Sequence, residues 1–382
     1  MTLQQRPLSK ALPAASPMPP RGRKWTWLVL ARLAWVAMAS LSLVLGACGS
    51  VPATGTSARA TALPVASSAV PPHPVVIDTD MAADDWMALL YLLRRPEVAV
   101  KAITVTGAGE AHCEPGTRHA EGLVALANRG VIPVACGRTT PLQGNHVFPA
   151  QWRADVDSLL GLTLPPTTTR PTQQTAVDLL TSVIQASPQQ VVLLTLGPLT
   201  NVAEALQRTP ALVKHLAMIY IMGGAVEVPG NIADSGAGID NQVAEWNMYV
   251  DPHAAQVVLA SGAPITLVPL DATNHVPMTD SFYQRLKADH VSPVASFVFD
   301  VLTKRYALIQ SGGYYFWDPL AAAILTDDSL ATFQTRALSI IETQGPKSGR
   351  TQPSAGGAMV RVAVSASGAR FEQIFLSTLH RF

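Results

Sequence analysis

The chain has 382 residues, 48% of them hydrophobic and 14% charged, with a formal net charge of +1. That composition suffices for a sizeable core in one large domain or two ordinary ones, and its charge lies well below the roughly 25% of an average soluble protein. No basic block marks a nucleic-acid surface, and any crowd of acids is a local feature, since the chain as a whole is not acidic.

In chain order, the first element has the form of an export signal. Arg21, Arg23 and Lys24 precede WTWLVLARLAWVAMASLSLVLGAC, an apolar stretch broken by Arg32 and closed by small residues, which is the layout of a secretory segment. A spanning helix needs about 20 apolar residues, and Arg32 leaves only Leu33–Ala47. The ending LGAC, Leu45 to Cys48, resembles the lipobox of bacterial lipoproteins, whose cysteine is lipidated and becomes the mature N-terminus. The expectation is a signal segment over 1–48 and a lipid anchor at Cys48. The protein is then exported and membrane-anchored, on the periplasmic or cell-surface side. A plain secretory signal with a chance cysteine is the alternative. Residues 49–73 are rich in Ala, Ser, Thr and Pro and nearly free of charge. Such a segment buries too little to order itself and reads as a flexible linker, leaving 74–382 as the folded domain.

Within that domain, HPVVID (73–78) reads as a buried strand, DWMALLYLLRR (85–95) as a helix and VAVKAITVTG (98–107) as a second strand. A helix over 116–130 and a strand over 132–137 follow, and the alternation resumes from residue 173 through strands at 190–197, 216–224 and 264–271. Helical stretches follow around 293–309 and from Asp318, then late strands in ALSIIET and AMVRVAVSA and a last helix over 369–382. This pattern predicts an α/β fold: an open, mostly parallel, doubly wound (Rossmann-like) central sheet flanked by helices, in a single domain. Residues 138–172, rich in Pro and Thr, read as a long loop or lid. Beyond Cys48 the cysteines are Cys113 and Cys136. Export permits a disulfide between them, and two free buried thiols are the equal alternative.

The first strand runs into DTDMAADD, which places Asp78, Asp80, Asp84 and Asp85 within eight positions. In open α/β sheets ligands bind beyond the carboxyl ends of strands. A helix N-terminus favours an acidic side chain by only about 0.3–1 kcal/mol, too little to offset four converging carboxylates. A divalent cation does offset them, and Ca²⁺ takes 6–8 oxygen ligands in flexible geometry. An EF-hand loop is excluded, because Ala83 stands where that loop needs glycine and no closing glutamate follows. Strand-Asp-x-Asp also resembles the haloacid-dehalogenase phosphatases, although Ala82 stands where they usually carry threonine or valine.

DTDMAADD resembles the N-terminal D-T-D-x-x-x-D-D signature of the inosine–uridine-preferring nucleoside hydrolases. The resemblance extends over nearly all of 74–382 through LGPLTNVAEAL (196–206), IMGGA (221–225), Gly230-Asn231, AEWNMYVDPHAA (244–255), LDATNHV (270–276) and WDPLAAA (317–323), in the family's order. The phosphatases do not predict this set. The resemblance implies a Ca²⁺ ion held by Asp80, Asp85, Asp318 and the backbone carbonyl of Leu196. It gives Asp80 as general base for water, Asp84 for the ribose 2′-hydroxyl and Asp78 as an orienting neighbour. It also implies that Asn231, Glu245 and Asn247 hold the sugar, with Met222 against it. Thr200 and Asn201 brace the helix after Leu196. The implied reaction is hydrolysis of the N-glycosidic bond of ribonucleosides to ribose and free base. Its partner is a small nucleoside, no nucleic acid is involved, and a homo-oligomer is compatible with it.

The chain departs from the family's pattern in two places. Many members carry a histidine proton donor just before the last metal aspartate, where Trp317 stands here. Some relatives instead stack the base between aromatic rings, which Tyr314, Tyr315, Phe316 or Trp317 can supply, at least two of these four being core. Trp246 stands where phenylalanine is common. In TGAGEAHCEPG (106–116), where members often carry Gly-Asn, Glu110 can take the sugar contact and His112 can serve either the leaving base or structure. His275 reads as structural. A non-catalytic nucleoside- or ribose-binding lipoprotein on the same scaffold is the rival from another class.

Overall fold

The computed structural model describes residues 72–167 and 169–381. The expected signal segment with Cys48, and the linker up to residue 71, lie outside the described residues. Among the described residues nine strands form one sheet: β1 (His73–Thr79), β2 (Val98–Val105), β3 (Val134–Cys136), β4 (Val191–Thr195), β5 (Leu216–Met222), β6 (Ile265–Val268), β7 (Ala331–Ile340), β8 (Thr351–Pro353) and β9 (Ala358–Ala366). Their order is β3-β2-β1-β4-β5-β6-β9-β7-β8. All neighbours are parallel from β3 through β9, and β7 runs antiparallel to β9 and β8. The mostly parallel α/β sheet read from the sequence is therefore present, with an antiparallel edge added. β1 opens at His73, the last residue of the expected linker.

The helices are α1 (Ala83–Leu93), α2 (Cys113–Leu126), α3 (Ala150–Asp157), α4 (Ala176–Ala186), α5 (Thr200–Arg208), α6 (Trp246–Val250), α7 (Pro252–Leu259), α8 (Leu270–Thr273), α9 (Asp280–Ala288), α10 (Pro293–Lys304), α11 (Tyr306–Ser311), α12 (Trp317–Thr326) and α13 (Gly368–Leu379). β1 shows why the sheet is covered on both faces. Val75 and Ile77 enter the core built with α1, α2, α10, α12 and α13, while Val76 enters the opposite core with α4, α5 and α7. Alternate side chains of a strand point to opposite faces, so a continuous apolar run needs helices on both sides. Among the described residues no helix is long and apolar enough to cross a membrane.

One expectation is corrected and one helix is added. The lid segment 138–172 is not simply a loop, since it contains α3 and a 3₁₀ turn at Leu159–Gly161. Val156 is buried and Trp152 packs on Trp246 with ring centroids 5.4 Å apart, so tertiary burial supplies what a weak apolar pattern hid. Helix α9 went unread, although Thr279 is a visible cap whose hydroxyl accepts from the Phe282 N–H. Cys113 and Cys136 are disulfide-bonded, joining the start of α2 to the end of β3.

From β1 the chain winds through β2 to β3 on one side, then returns with β4 on the other. The strand order thus reverses between β1 and β4, the point at which open α/β sheets open a crevice for ligands.

Candidate active site

Both strands at that crevice deliver polar groups. The Leu196 N–H, just past β4, donates to the Asp78 carbonyl at 2.9 Å. Asp78 is fully buried, and its Oδ1 accepts from Thr104 at 2.5 Å and from the Asn201 side-chain amide at 2.8 Å. Asp80 follows β1 and is wedged between two glycines. A Cβ on Gly109 would fall 2.1 Å from its Cβ, and one on Gly197 would fall 2.6 Å from it. Glycine is required there because backbone closes on the carboxylate from both sides.

The turn from β1 into α1 is held in an uncommon shape. Met81 has φ of +59°, left-handed for a residue with a side chain. Its N–H donates to Thr79 Oγ1 at 3.0 Å and to Asp85 Oδ1 at 3.3 Å, and its carbonyl accepts from Trp86 Nε1 at 2.9 Å. Asp85 Oδ1 also accepts from the Thr79 hydroxyl and from the Asp80 N–H. These bonds aim the first turn of α1 back over the strand end.

Helix α1 packs along α12, so their N-termini meet. Oxygens of Asp84, Asp85 and Asp318 lie within 4.8 Å of one another. Asp85 and Asp318 are buried, Asp84 half-buried. Burial, ahead of neighbouring charge, pushes Asp78 and Asp84 up to about 7 and holds Asp80 and Asp318 well above the ordinary carboxylate range. At Asp80 the negative charges of Asp85 and Glu110 act in the same direction as burial, and at Asp318 those of Asp85 and Asp84 do.

Carboxylates gathered this way call for a cation. Asp85 Oδ2 and Asp318 Oδ1 are sealed from solvent and have no hydrogen-bond partner among the described residues. Buried orphan acceptors are costly, typically about 1–3 kcal/mol each. All the donors are hard oxygens, the kind that Ca²⁺ takes. The residues fit the ion.

The structure brings Glu110 to the same place. It is buried, its N–H donates to Asp80 Oδ2 at 3.1 Å, and burial pushes its carboxyl up to about 8, with the charge of Asp84 adding to the rise. Its loop is braced by Arg153 of α3, whose guanidinium donates to the carbonyls of Gly107 and Glu110, each at 3.3 Å. His112 is exposed. Its Nδ1 lies 2.6 Å from Asp157 Oδ2 and its N–H donates to Asp157 Oδ1 at 2.8 Å, so it ties α2 to α3. His275 is exposed beyond α8.

A second group sits past β4 and β5. The Asn247 side-chain amide donates to the carbonyls of Leu196 and Met222, at 3.1 and 3.2 Å, and approaches the Met222 sulfur at 3.5 Å. Glu245 caps α6: Oε1 accepts from the Asn247 N–H at 2.9 Å, and Oε2 accepts from the N–H groups of Gly224 at 2.9 Å and Met248 at 3.3 Å. Its carboxylate therefore organises loop and helix, a role that sequence alone did not reveal. Asn231 is held by its N–H to the Ala244 carbonyl at 3.1 Å, and its buried Oδ1 has no partner among the described residues.

Of the four clustered aromatics, Tyr314 and Phe316 are buried in the core, while Tyr315 and Trp317 are half-buried. Trp317 stands edge-on to Tyr314 at 5.5 Å. The Tyr314 hydroxyl is buried without a partner among the described residues, and burial raises its pKa, with the charge of Asp84 next in effect. Trp246 stacks on Phe148 at 5.1 Å. Thr79, Arg153 and Arg305 are residues at the site that sequence reasoning missed. Only Thr79 had a signal, as the residue between two acids at a strand end.

Residues 75–373 match the family described as inosine-uridine preferring nucleoside hydrolase. A pyrimidine-specific ribonucleoside hydrolase RihA of Enterobacter sp. (strain 638) is 34% identical over 277 residues, covering 71% of this chain and 84% of that one. Uridine nucleosidase 1 of Arabidopsis thaliana is 32% identical over 283 residues, covering 72% and 80%. Among solved structures, a plant nucleoside hydrolase superposes with a TM-score of 0.72 at 29% identity, covering 81% of this chain and 99% of that one. An inosine-uridine preferring nucleoside hydrolase from Bacillus anthracis gives 0.71 at 25% identity, covering 80% and 99%.

Proposed function

Since this chain belongs to the inosine-uridine preferring nucleoside hydrolase family and is a ribonucleoside hydrolase, we propose that it works with one Ca²⁺ held by Asp80, Asp85, Asp318 and the Leu196 carbonyl. The observation that carries this reading is the convergence of α1 and α12, which sets Asp84, Asp85 and Asp318 within 4.8 Å of one another around orphaned oxygens. Asp84 belongs to that tightest trio, and we assign it to the sugar's 2′-hydroxyl at the edge of the ion. When bound, the ion supplies positive charge that acidifies water and orients sugar hydroxyls.

The protein groups do the rest. Asp80, fixed by Gly109, Gly197 and the Glu110 N–H, accepts the proton of the attacking water. Glu110 and Asn231 bind sugar hydroxyls, Asn231 through its unpartnered Oδ1. Negative charge around the ribose stabilises the oxocarbenium character that develops at the anomeric carbon. Glu245 and Asn247 shape the loops after β4 and β5, and Met222 lies beside the Asn247 amide. Relatives named for pyrimidine ribonucleosides and uridine make uridine the first substrate to test.

We further propose export and lipid anchoring at Cys48. A Cys48→Ser variant then loses membrane association, and unchanged fractionation would overturn that part. The catalytic reading is tested with the purified chain, a nucleoside panel and Ca²⁺. Release of ribose that Asp80→Asn abolishes supports it, while binding without release supports a nucleoside-binding lipoprotein instead.

A further inference from the structure

We infer that Arg305 is the catalytic residue that carries the departing base, donating hydrogen bonds to it as the glycosidic bond breaks. The inference rests on the ribonucleoside-hydrolase reading above and assigns the group that the sequence leaves open.

Arg305 joins α10 to α11, with its N–H on the Val301 carbonyl at 3.1 Å. Its side chain is only 18% exposed. The nearest anion is Asp155 of α3, through one contact of 3.6 Å, and among the described residues the guanidinium makes no hydrogen bond. A structural arginine with five donors ordinarily forks onto its carboxylate at closer range. Here the donors remain uncommitted, and the Asp155 contact sets them against α3, whose Arg153 holds the carbonyls of Gly107 and Glu110. The positive charge of Arg305 also acts on Asp84, Glu110 and Tyr314. The other candidates are otherwise engaged. Trp317 offers no ionisable proton at the position preceding Asp318, and His112 is held outward by Asp157.

The chemistry is consistent with that placement. The bond between C1′ and the base nitrogen breaks, and its electron pair leaves on the base. A new bond forms from C1′ to the oxygen of water, whose proton passes to Asp80, and the base nitrogen is protonated from solvent. The guanidinium stays charged throughout and lowers the energy of the base anion by hydrogen bonds that strengthen as charge accumulates. Donors of this kind select bases that present carbonyl oxygens, as uracil does, over adenine, which presents an amino donor.

The test compares the full chain with Arg305→Ala and Arg305→Lys on uridine and on 4-nitrophenyl β-ribofuranoside, whose leaving anion is stable unaided. Arg305→Ala is expected to lose on the order of 10²-fold in kcat on uridine and no more than several-fold on the nitrophenyl riboside, with Arg305→Lys between parent and Ala. Hydrolysis of the nitrophenyl riboside reports that the variant folds and keeps its metal site. Equal losses on both substrates, or no loss on uridine, overturn the assignment. A parent inactive on both substrates overturns the hydrolase reading and this inference with it.

Discussion

The Asn201 side-chain amide donates to Asp78 Oδ1 at 2.8 Å across 123 residues of chain. This bond ties the first turn of α5 to the strand that ends in the acid cluster. Asp78 Oδ2 and Asn201 Oδ1 are buried without hydrogen-bond partners among the described residues. Asn201→Ala removes a donor to a buried carboxyl and is expected to destabilise the protein by about 1–3 kcal/mol, read from the denaturant midpoint. A midpoint equal to the parent's contradicts the brace.

The roles proposed for Asp80 and Asp84 separate in kinetics. With Asp80 as the proposed proton acceptor, Asp80→Asn is expected to cost at least about 10²-fold in kcat. With Asp84 assigned to the 2′-hydroxyl, Asp84→Asn is expected to act chiefly on KM and on discrimination between ribosides and 2′-deoxyribosides. Steady-state kinetics on uridine and 2′-deoxyuridine check both. If Asp84→Asn instead abolishes calcium uptake in calorimetry, Asp84 is a principal ligand, as its place in the 4.8 Å trio allows.

The site makes stability depend on pH with a definite sign. Burial raises Asp78 and Asp84 to about 7 and Glu110 to about 8, above the carboxylate values of an unfolded chain. In the metal-free protein these acids favour folding most when protonated, below about pH 4. Their contribution is lost as pH rises from there through about 7 to 8. Metal-free protein should therefore lose melting temperature across that window, beyond what acid effects elsewhere impose. The proposed calcium ion would bind the ionised forms, so its stabilising shift should be larger at pH 8 than at pH 5. An equal shift at both values contradicts the electrostatics of the cluster.

The disulfide closes a loop with a sequence separation of 23, spanning α2 and reaching β3. In the chain-entropy account a bridge of that span contributes about 3 kcal/mol. A Cys113→Ser, Cys136→Ser variant should melt lower by several degrees and lose part of its affinity for the sugar, because Cys113 lies three residues from Glu110. Thermal melts with and without reductant, together with KM for uridine, check this.

Much of this architecture was legible because one physical rule governs it. Runs such as VVID and VVLLT are apolar without alternation, which only a strand covered on both faces tolerates, and the Asp-rich turn after the first of them marks the strand's carboxyl end. Helix α3 was hidden because its stability comes from Trp152 meeting Trp246, nearly a hundred residues away in sequence, and not from its own pattern. The role of Glu245 was hidden for a similar reason: a carboxylate that caps a helix and one that binds a sugar read alike in sequence, and only the N–H groups of Gly224, Asn247 and Met248 reveal the first role. Arg305 carries no motif, and its contact with Asp155 of α3 joins residues 150 positions apart, which only the folded chain brings together.

The most direct measurement is ribose release from uridine by chelator-stripped protein as Ca²⁺ is returned. The account predicts no turnover in the stripped state and a saturable recovery as one ion binds per chain, with Asp318→Asn unable to recover. Turnover that persists without calcium, or ribose that never appears at any calcium concentration, would contradict it.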